Sequence, residues 1–136
     1  MGVVLLDTSV ASLLHPKKKD DPLKSFYAEH MQGQTLALCF QAIAELWDWA
    51  ENNNWGERSR KSLDDFIRRF LVIPYDYELT RVGARLMTGS RKAGRFFEAG
   101  DCWIAATAIH YDIPLLAHDK HFLARDNLGL KLISCL

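Results

Sequence analysis

Val3-Val4-Leu5-Leu6-Asp7-Thr8-Ser9 places four aliphatic residues directly before an acid and two hydroxyls. A short continuous apolar run of this kind, with two β-branched residues and a polar stop, reads as a strand buried on both faces. The pattern returns late in the chain as Pro114-Leu115-Leu116-Ala117-His118-Asp119, a second short strand over 115–117 that also ends in an acid. In open α/β sheets, ligands bind beyond the carboxyl ends of the strands, near the point where strand order reverses. Asp7 and Asp119 are therefore expected to project into one crevice.

Between these two runs the hydrophobic period switches repeatedly. Thr8 or Ser9 caps a short helix that reaches Leu14 and stops ahead of Pro16. A helix with proline in its first turn is expected over 22–31, and a buried strand over 35–40. Ala42, Ile43, Leu46, Trp49 and Ala50 then recur at helical spacing, as do Leu63, Phe66, Ile67 and Phe70. A short strand over 71–73 ends before Pro74. Leu79, Val82, Gly83, Leu86 and Met87 mark a helix that runs out near Gly94-Arg95, and another begins around Gly100-Asp101. The last strand falls within 130–134. Strands alternating with helices indicate an α/β fold with a mostly parallel sheet of about five strands.

The chain has 136 residues, 49% of them hydrophobic and 25% charged. That is ordinary globular composition for one domain, taken as 1–136. No Gly/Pro/Ser-rich linker divides it. Seventeen Lys and Arg balance seventeen Asp and Glu, so any surface that attracts a polyanion must be local. Cys39, Cys102 and Cys135 are odd in number and lack metal-ligand spacing. Cys39 and Cys102 lie in apolar surroundings and read as buried hydrophobes, in keeping with a reducing, cytoplasmic location. The N-terminus lacks a basic region ahead of its apolar run and does not read as a signal peptide. No apolar run approaches the ~18 residues that span a membrane.

Two further acids join Asp7 and Asp119. Asp101 stands at a helix start, where backbone N–H groups and the helix dipole favour a carboxylate. At ~100° per residue, Glu45 falls on the flank of the apolar stripe of its helix, with no Lys or Arg within a helical turn. A partly desolvated carboxylate there needs a counter-charge. Taken singly, Asp7 and Asp101 also read as helix caps, Asp119 as a turn residue, and Glu45 as a solvated helix face. Together, three or four converging carboxylates without His or Cys spacing are the donor set that Mg²⁺ or Mn²⁺ takes.

The stretches Leu-Leu-Asp7-Thr-Ser, Ala-Ile-Ala-Glu45-Leu, Gly100-Asp101-Cys-Trp-Ile-Ala-Ala-Thr-Ala and Leu-Leu-Ala-His-Asp119-Lys-His-Phe occur in this order. In order and separation they resemble PIN-domain ribonucleases, specifically VapC-type toxins of bacterial or archaeal toxin–antitoxin modules. The resemblance implies a three-layer sandwich with helices flanking a central parallel sheet. It implies an acid quartet of Asp7, Glu45, Asp101 and Asp119 around Mg²⁺ or Mn²⁺, and endonucleolytic RNA cleavage that leaves a 5′-phosphate and a 3′-hydroxyl. Asp7, Asp101 and Asp119 would hold the principal ion. Glu45 would hold a second ion or position the attacking water. Thr8 or Ser9 matches the hydroxyl residue that orients the first acid or a water on the ion. A homodimer and a VapB-like antitoxin partner are implied as well. Two positions depart from the family pattern: His118 stands where a small hydroxyl residue is usual, and Gln41 where Ser or Thr is usual. His118 reads as a packed or exposed structural residue, or else as a donor behind the acids.

An acidic site must still draw in an RNA backbone. Arg91, Lys92 and Arg95, ahead of the Asp101 helix, and Lys120, beside Asp119, are candidate phosphate contacts. Lys17, Lys18, Lys19, Arg58, Arg60, Arg68 and Arg69 are further candidates, each of which also reads as a solvated face. Trp47 and Trp55 are the tryptophans expected at the surface. Two other functions fit parts of the pattern. A phosphatase of the haloacid dehalogenase type also begins with a strand ending in Asp, but needs a second Asp two residues on, where this chain has Ser9. A non-enzymatic PIN-like module binding RNA or a partner would normally have lost acids, and none is lost here.

Overall fold

The computed structural model describes residues 2–125 and 128–136. Its elements, in chain order, are β1 (Val3–Leu6), α1 (Thr8–Leu13), α2 (Pro22–Met31), β2 (Thr35–Cys39), α3 (Phe40–Asn52) and α4 (Glu57–Ile67). Then come β3 (Leu71–Ile73), α5 (Tyr77–Lys92), α6 (Ala99–His110), β4 (Leu115–Leu116), a 3₁₀ turn (Lys120–Phe122) and β5 (Leu132–Ile133). The five strands form one sheet in the order β3-β2-β1-β4-β5, and every pairing is parallel.

This order explains the apolar runs. β1 lies in the middle, with Leu5 opposite Ala37 on one side and opposite Leu115 on the other. Successive strand residues face opposite sides of a sheet. Leu5 and Leu6 are nevertheless both fully buried, as are Leu115 and Leu116. Only a sheet covered on both faces buries neighbours equally, and helices supply that cover. The chain builds outward from β1 to β2 and β3, then returns to place β4 on the opposite flank of β1. Strand order therefore reverses between β1 and β4, and the crevice expected at such a point opens beyond Leu6 and Leu116.

α6 is buried around most of its circumference, through Cys102, Ile104, Ala105, Ala106, Thr107 and Ala108. Its small residues let neighbours come close. A Cβ at Gly83 on α5 would lie 2.7 Å from the Trp103 ring, so glycine is what allows α5 and α6 to pack as they do. Cys39 and Cys102 are buried and unpaired.

Several boundaries differ from the sequence expectation for physical reasons. α1 is capped by Asp7, whose side chain accepts from Val10 N, and not by Thr8 or Ser9. β2 ends at Cys39 because Phe40 already belongs to α3. α4 ends at Ile67 with Arg68 as its cap, so Phe70 meets the core from beyond the helix, edge-on to Phe66. α5 ends two residues before Gly94, which turns the chain with a φ of 71°. Trp47 and Trp55 are half-buried. Trp55 stacks on the buried His15 ring at 5.6 Å and meets Trp49 at 4.7 Å.

Candidate metal centre

Asp7 directly follows β1, and its backbone N–H donates to Leu116 O at 3.0 Å, binding the end of β1 to the end of β4. Its side chain is only 2% exposed and is held by three donors. Oδ1 accepts from Val10 N at 2.8 Å, and Oδ2 accepts from Ser9 Oγ at 2.8 Å and His118 N at 3.3 Å. The cap reading and the site reading of Asp7 are thus one geometry: capping α1 fixes the carboxylate in the crevice. Burial pushes its pKa up to about 6, despite these three hydrogen bonds, and the neighbouring Asp119 adds to the rise.

Asp119 caps the 3₁₀ turn by accepting from His121 N at 2.9 Å. The tight turn folds the His121 ring back over the acid that caps it. Its Nδ1 lies 2.8 Å from Asp119 Oδ1 and 3.5 Å from Asp101 Oδ2. Asp101 sits in the first turn of α6, which begins after Glu98, and so is a first-turn acid and not the cap. Burial again lifts its pKa to about 6, with Asp119 as the next contributor and Glu98 and Glu45 adding smaller increments against the relief from His121.

Asp101, Asp119 and His121 each offer a ligand atom within 4.8 Å of the other two. Among the described residues this is the one group of metal-ligating side chains that tight. Asp7 and Glu45 stand outside the trio but act on it electrostatically, Asp7 through Asp119 and Glu45 through Asp101.

Glu45 is held from both sides. Thr8 Oγ1 donates to Oε1, and Gln41 Nε2 donates to Oε2 at 2.7 Å. Thr8 and Ser9 therefore divide between two acids, Ser9 holding Asp7 and Thr8 holding Glu45. The partner of Glu45 is a neutral amide one helical turn back, at the position where the family more often has Ser or Thr. Gly100 explains how α6 comes so near. A Cβ there would lie 2.9 Å from Gln41 Nε2 and 3.0 Å from Glu45 Oε2. The Gly-Asp pair thus has a steric reason, since glycine lets the first turn of α6 abut the Glu45 carboxylate while the next residue supplies Asp101.

His118 contributes through its backbone. Its N–H reaches Asp7, while its ring Nδ1 lies 2.9 Å from the Tyr27 hydroxyl. That hydroxyl donates to Ala117 O and accepts from Cys135 N, tying the segments after β4 and β5 together. The ring is thus a packed structural group.

The basic candidates separate by what already occupies them. Arg95 donates to Ala124 O at 3.1 Å and Leu123 O at 3.0 Å, bracing the loop after the 3₁₀ turn, where Ala124 has a left-handed φ of 57°. Arg91, Lys92 and Lys120 are exposed. Arg60 and Arg68 pair with Glu51 and Asp64, and Lys17 and Lys18 lie over the Trp55 and Trp49 rings.

Two residues, one within the trio and one behind it, carried no signal of their own in the sequence. His121 is one of two histidines flanking Asp119, and only the turn geometry selects it. Arg125 is 3% exposed and lies 4.1 Å over the Phe97 ring. It donates to Ser90 Oγ, Phe96 O and His121 O, so one guanidinium joins α5, the approach to α6 and the His121 turn.

The fold and this crevice define a class: a parallel α/β protein with acids gathered at the carboxyl ends of β1 and β4, suited to a divalent cation. The chain belongs to the PIN domain family, whose model matches residues 4–128. No curated protein sequence matches it. Among solved structures, it is similar to the DNA-bound VapBC from Salmonella typhimurium, with a TM-score of 0.81 and 19% identity over 98% of each chain. It is also similar to VapBC2 from Rickettsia felis bound to a promoter DNA fragment, with a TM-score of 0.78, 21% identity, and coverage of 97% of this chain and 98% of that one. VapBC-1 from nontypeable Haemophilus influenzae matches at a TM-score of 0.78 and 20% identity over 97% of each chain. At these identities the likeness is one of fold. Family membership removes the dehalogenase-type phosphatase reading, and at position 9 that chemistry's second acid is replaced by a serine that donates to Asp7.

Proposed function

We propose that this protein is a divalent-cation-dependent endoribonuclease, the toxin of a VapC-type toxin–antitoxin pair, working as one domain over 1–136. The observation that carries this reading is the convergence of Asp101, Asp119 and His121 within 4.8 Å, beside the buried Asp7, in a PIN-domain chain. Carboxylate oxygens suit Mg²⁺ or Mn²⁺. Burial first, and then the neighbouring Asp119, pushes two of these carboxyls up to about 6, so their ionised forms favour a nearby cation.

Asp101 and Asp119 would hold the ion, with Asp7 completing the set from beneath. A divalent cation supplies charge relief on phosphoryl oxygens and makes water a better nucleophile. The remaining roles fall to the chain. Ser9, Val10 N and His118 N keep Asp7 aimed into the crevice. Thr8 and Gln41 keep Glu45 oriented as an acceptor, from where it takes a proton from the attacking water or holds a second ion. Arg91, Lys92 and Lys120 are exposed and would meet the RNA phosphates. Arg95 braces the loop instead.

Two of the VapBC structures similar to this chain are bound to DNA, and a third similar structure, VapBC-5 from Mycobacterium tuberculosis, is a member of the VapBC family of toxin–antitoxin systems. They support a VapB-like antitoxin partner here, and a homodimeric toxin acting in the cytoplasm belongs to the same proposal. No helix among the described residues is long and apolar enough to cross a membrane. The test is end-mapping of RNA after brief expression of wild type and Asp7→Asn. New 5′-phosphate ends with wild type alone are expected. Identical RNA profiles would refute the proposal and favour a binding module that cleaves nothing.

A further inference from the structure

We infer that His121 is a nitrogen ligand of the metal centre and biases it toward first-row transition ions, with Mn²⁺ as the probe, over Mg²⁺. This rests on the metal reading above and deepens it.

The geometry is that of adjacent ligands on one ion. Donors about 2.1 Å from an octahedral ion lie about 3.0 Å apart when adjacent. His121 Nδ1 lies 2.8 Å from Asp119 Oδ1 and 3.5 Å from Asp101 Oδ2. The backbone that carries the ring is held at both of its polar groups. His121 N donates to the Asp119 carboxylate, and His121 O accepts from the buried Arg125. The same acid that would ligate the ion therefore holds the residue that would ligate it too. The side chain is about half exposed, so an ion arriving from solvent meets the imidazole at the open rim while Asp101 and Asp119 wait behind it.

Chemistry then decides between ions. Mg²⁺ prefers oxygen donors and gains little from imidazole, whereas Mn²⁺ and the later first-row ions accept it readily. A site of carboxylates alone would discriminate less. With one imidazole among the donors, the Mn²⁺ to Mg²⁺ affinity ratio should rise.

The test uses the full chain. Mn²⁺ and Mg²⁺ are titrated calorimetrically into wild type, His121→Asp and His121→Ala, and the Mn²⁺-loaded proteins are examined by pulsed electron paramagnetic resonance for ¹⁴N coupling. The expected result is a ¹⁴N coupling in wild type that is absent from both variants, with the Mn²⁺ to Mg²⁺ ratio falling on the order of tenfold in His121→Asp, which returns an oxygen donor. Circular dichroism in EDTA checks that the variants are folded, and His121→Asp keeps the test decisive if His121→Ala is not. Wild type that binds Mn²⁺ without ¹⁴N coupling, or with an unchanged ratio in His121→Asp, overturns the assignment and leaves the carboxylate centre standing. Wild type that binds neither ion overturns the metal reading itself.

Discussion

Replacing Asp7 by Asn should stabilise the metal-free protein at neutral pH while removing its activity. The folded state lifts the Asp7 pKa from 3.8 to about 6. At 1.36 kcal/mol per tenfold, that rise costs the ionised, metal-free protein about 3 kcal/mol at pH 7. Asn carries no charge and keeps an oxygen for Val10 N. Its amide can still meet Ser9 Oγ but cannot accept from His118 N, a loss of about 1 kcal/mol. The net gain is about 2 kcal/mol, or roughly 5–8 °C for a chain of this size. The sign follows from which state holds the proton. Below 3.8 the acid is neutral in both states and there is no penalty. As the pH rises toward 6 the unfolded chain ionises first, and the penalty grows until it levels off above 6. At pH 5 the advantage of Asp7→Asn should therefore shrink to within about 1 kcal/mol. The assay is urea unfolding of both proteins in EDTA at pH 7 and pH 5. A variant destabilised at both pH values, or stabilised equally at both, would refute the view that burial of a charged carboxylate dominates this site.

His15 sets the opposite trend. Burial among Trp49, Trp55 and Phe66, followed by the nearby Lys17, lowers its pKa, and its Nε2 lacks a partner among the described residues. Stability should be fully present above about 6.5 and lost as the pH falls through the lowered value, and His15→Phe should flatten that loss in a pH series of melting temperatures. Gly100→Ala should displace Glu45 and Gln41, which a Cβ would approach to 3.0 and 2.9 Å, cutting RNA cleavage up to about 100-fold while the melting temperature moves little. An unchanged rate would mean that the Glu45 position is immaterial. Arg125→Met should cost about 3 kcal/mol in denaturant unfolding, because Ser90 Oγ, Phe96 O and His121 O lose their shared donor. A cost below about 1 kcal/mol would show that water replaces the guanidinium.

The strand-end acids were legible because the signal is local: an apolar run that stops at a carboxylate. That Asp7 and Asp119 share a crevice was legible only through the general rule for parallel sheets, since the β1–β4 pairing spans over a hundred residues and no periodicity records it. The acids at positions 45 and 101 were legible as types and positions, but not in their coupling, which depends on how closely Gly100 lets α6 approach α3. His121 had no visible role because its placement comes from the turn that Asp119 caps. Arg95 looked available as a cation in sequence, yet its planar donors are spent on two loop carbonyls. Trp55 was expected at the surface. It is instead half-buried against His15, a contact between side chains forty residues apart.

Metal-dependent RNA cleavage is tested by incubating the purified chain with a defined, end-labelled RNA in Mg²⁺ or Mn²⁺, alongside Asp7→Asn and an EDTA control. Internal cleavage leaving 5′-phosphate and 3′-hydroxyl ends is expected only with wild type and only with the ion present. Cleavage that persists in EDTA or in Asp7→Asn would contradict that expectation.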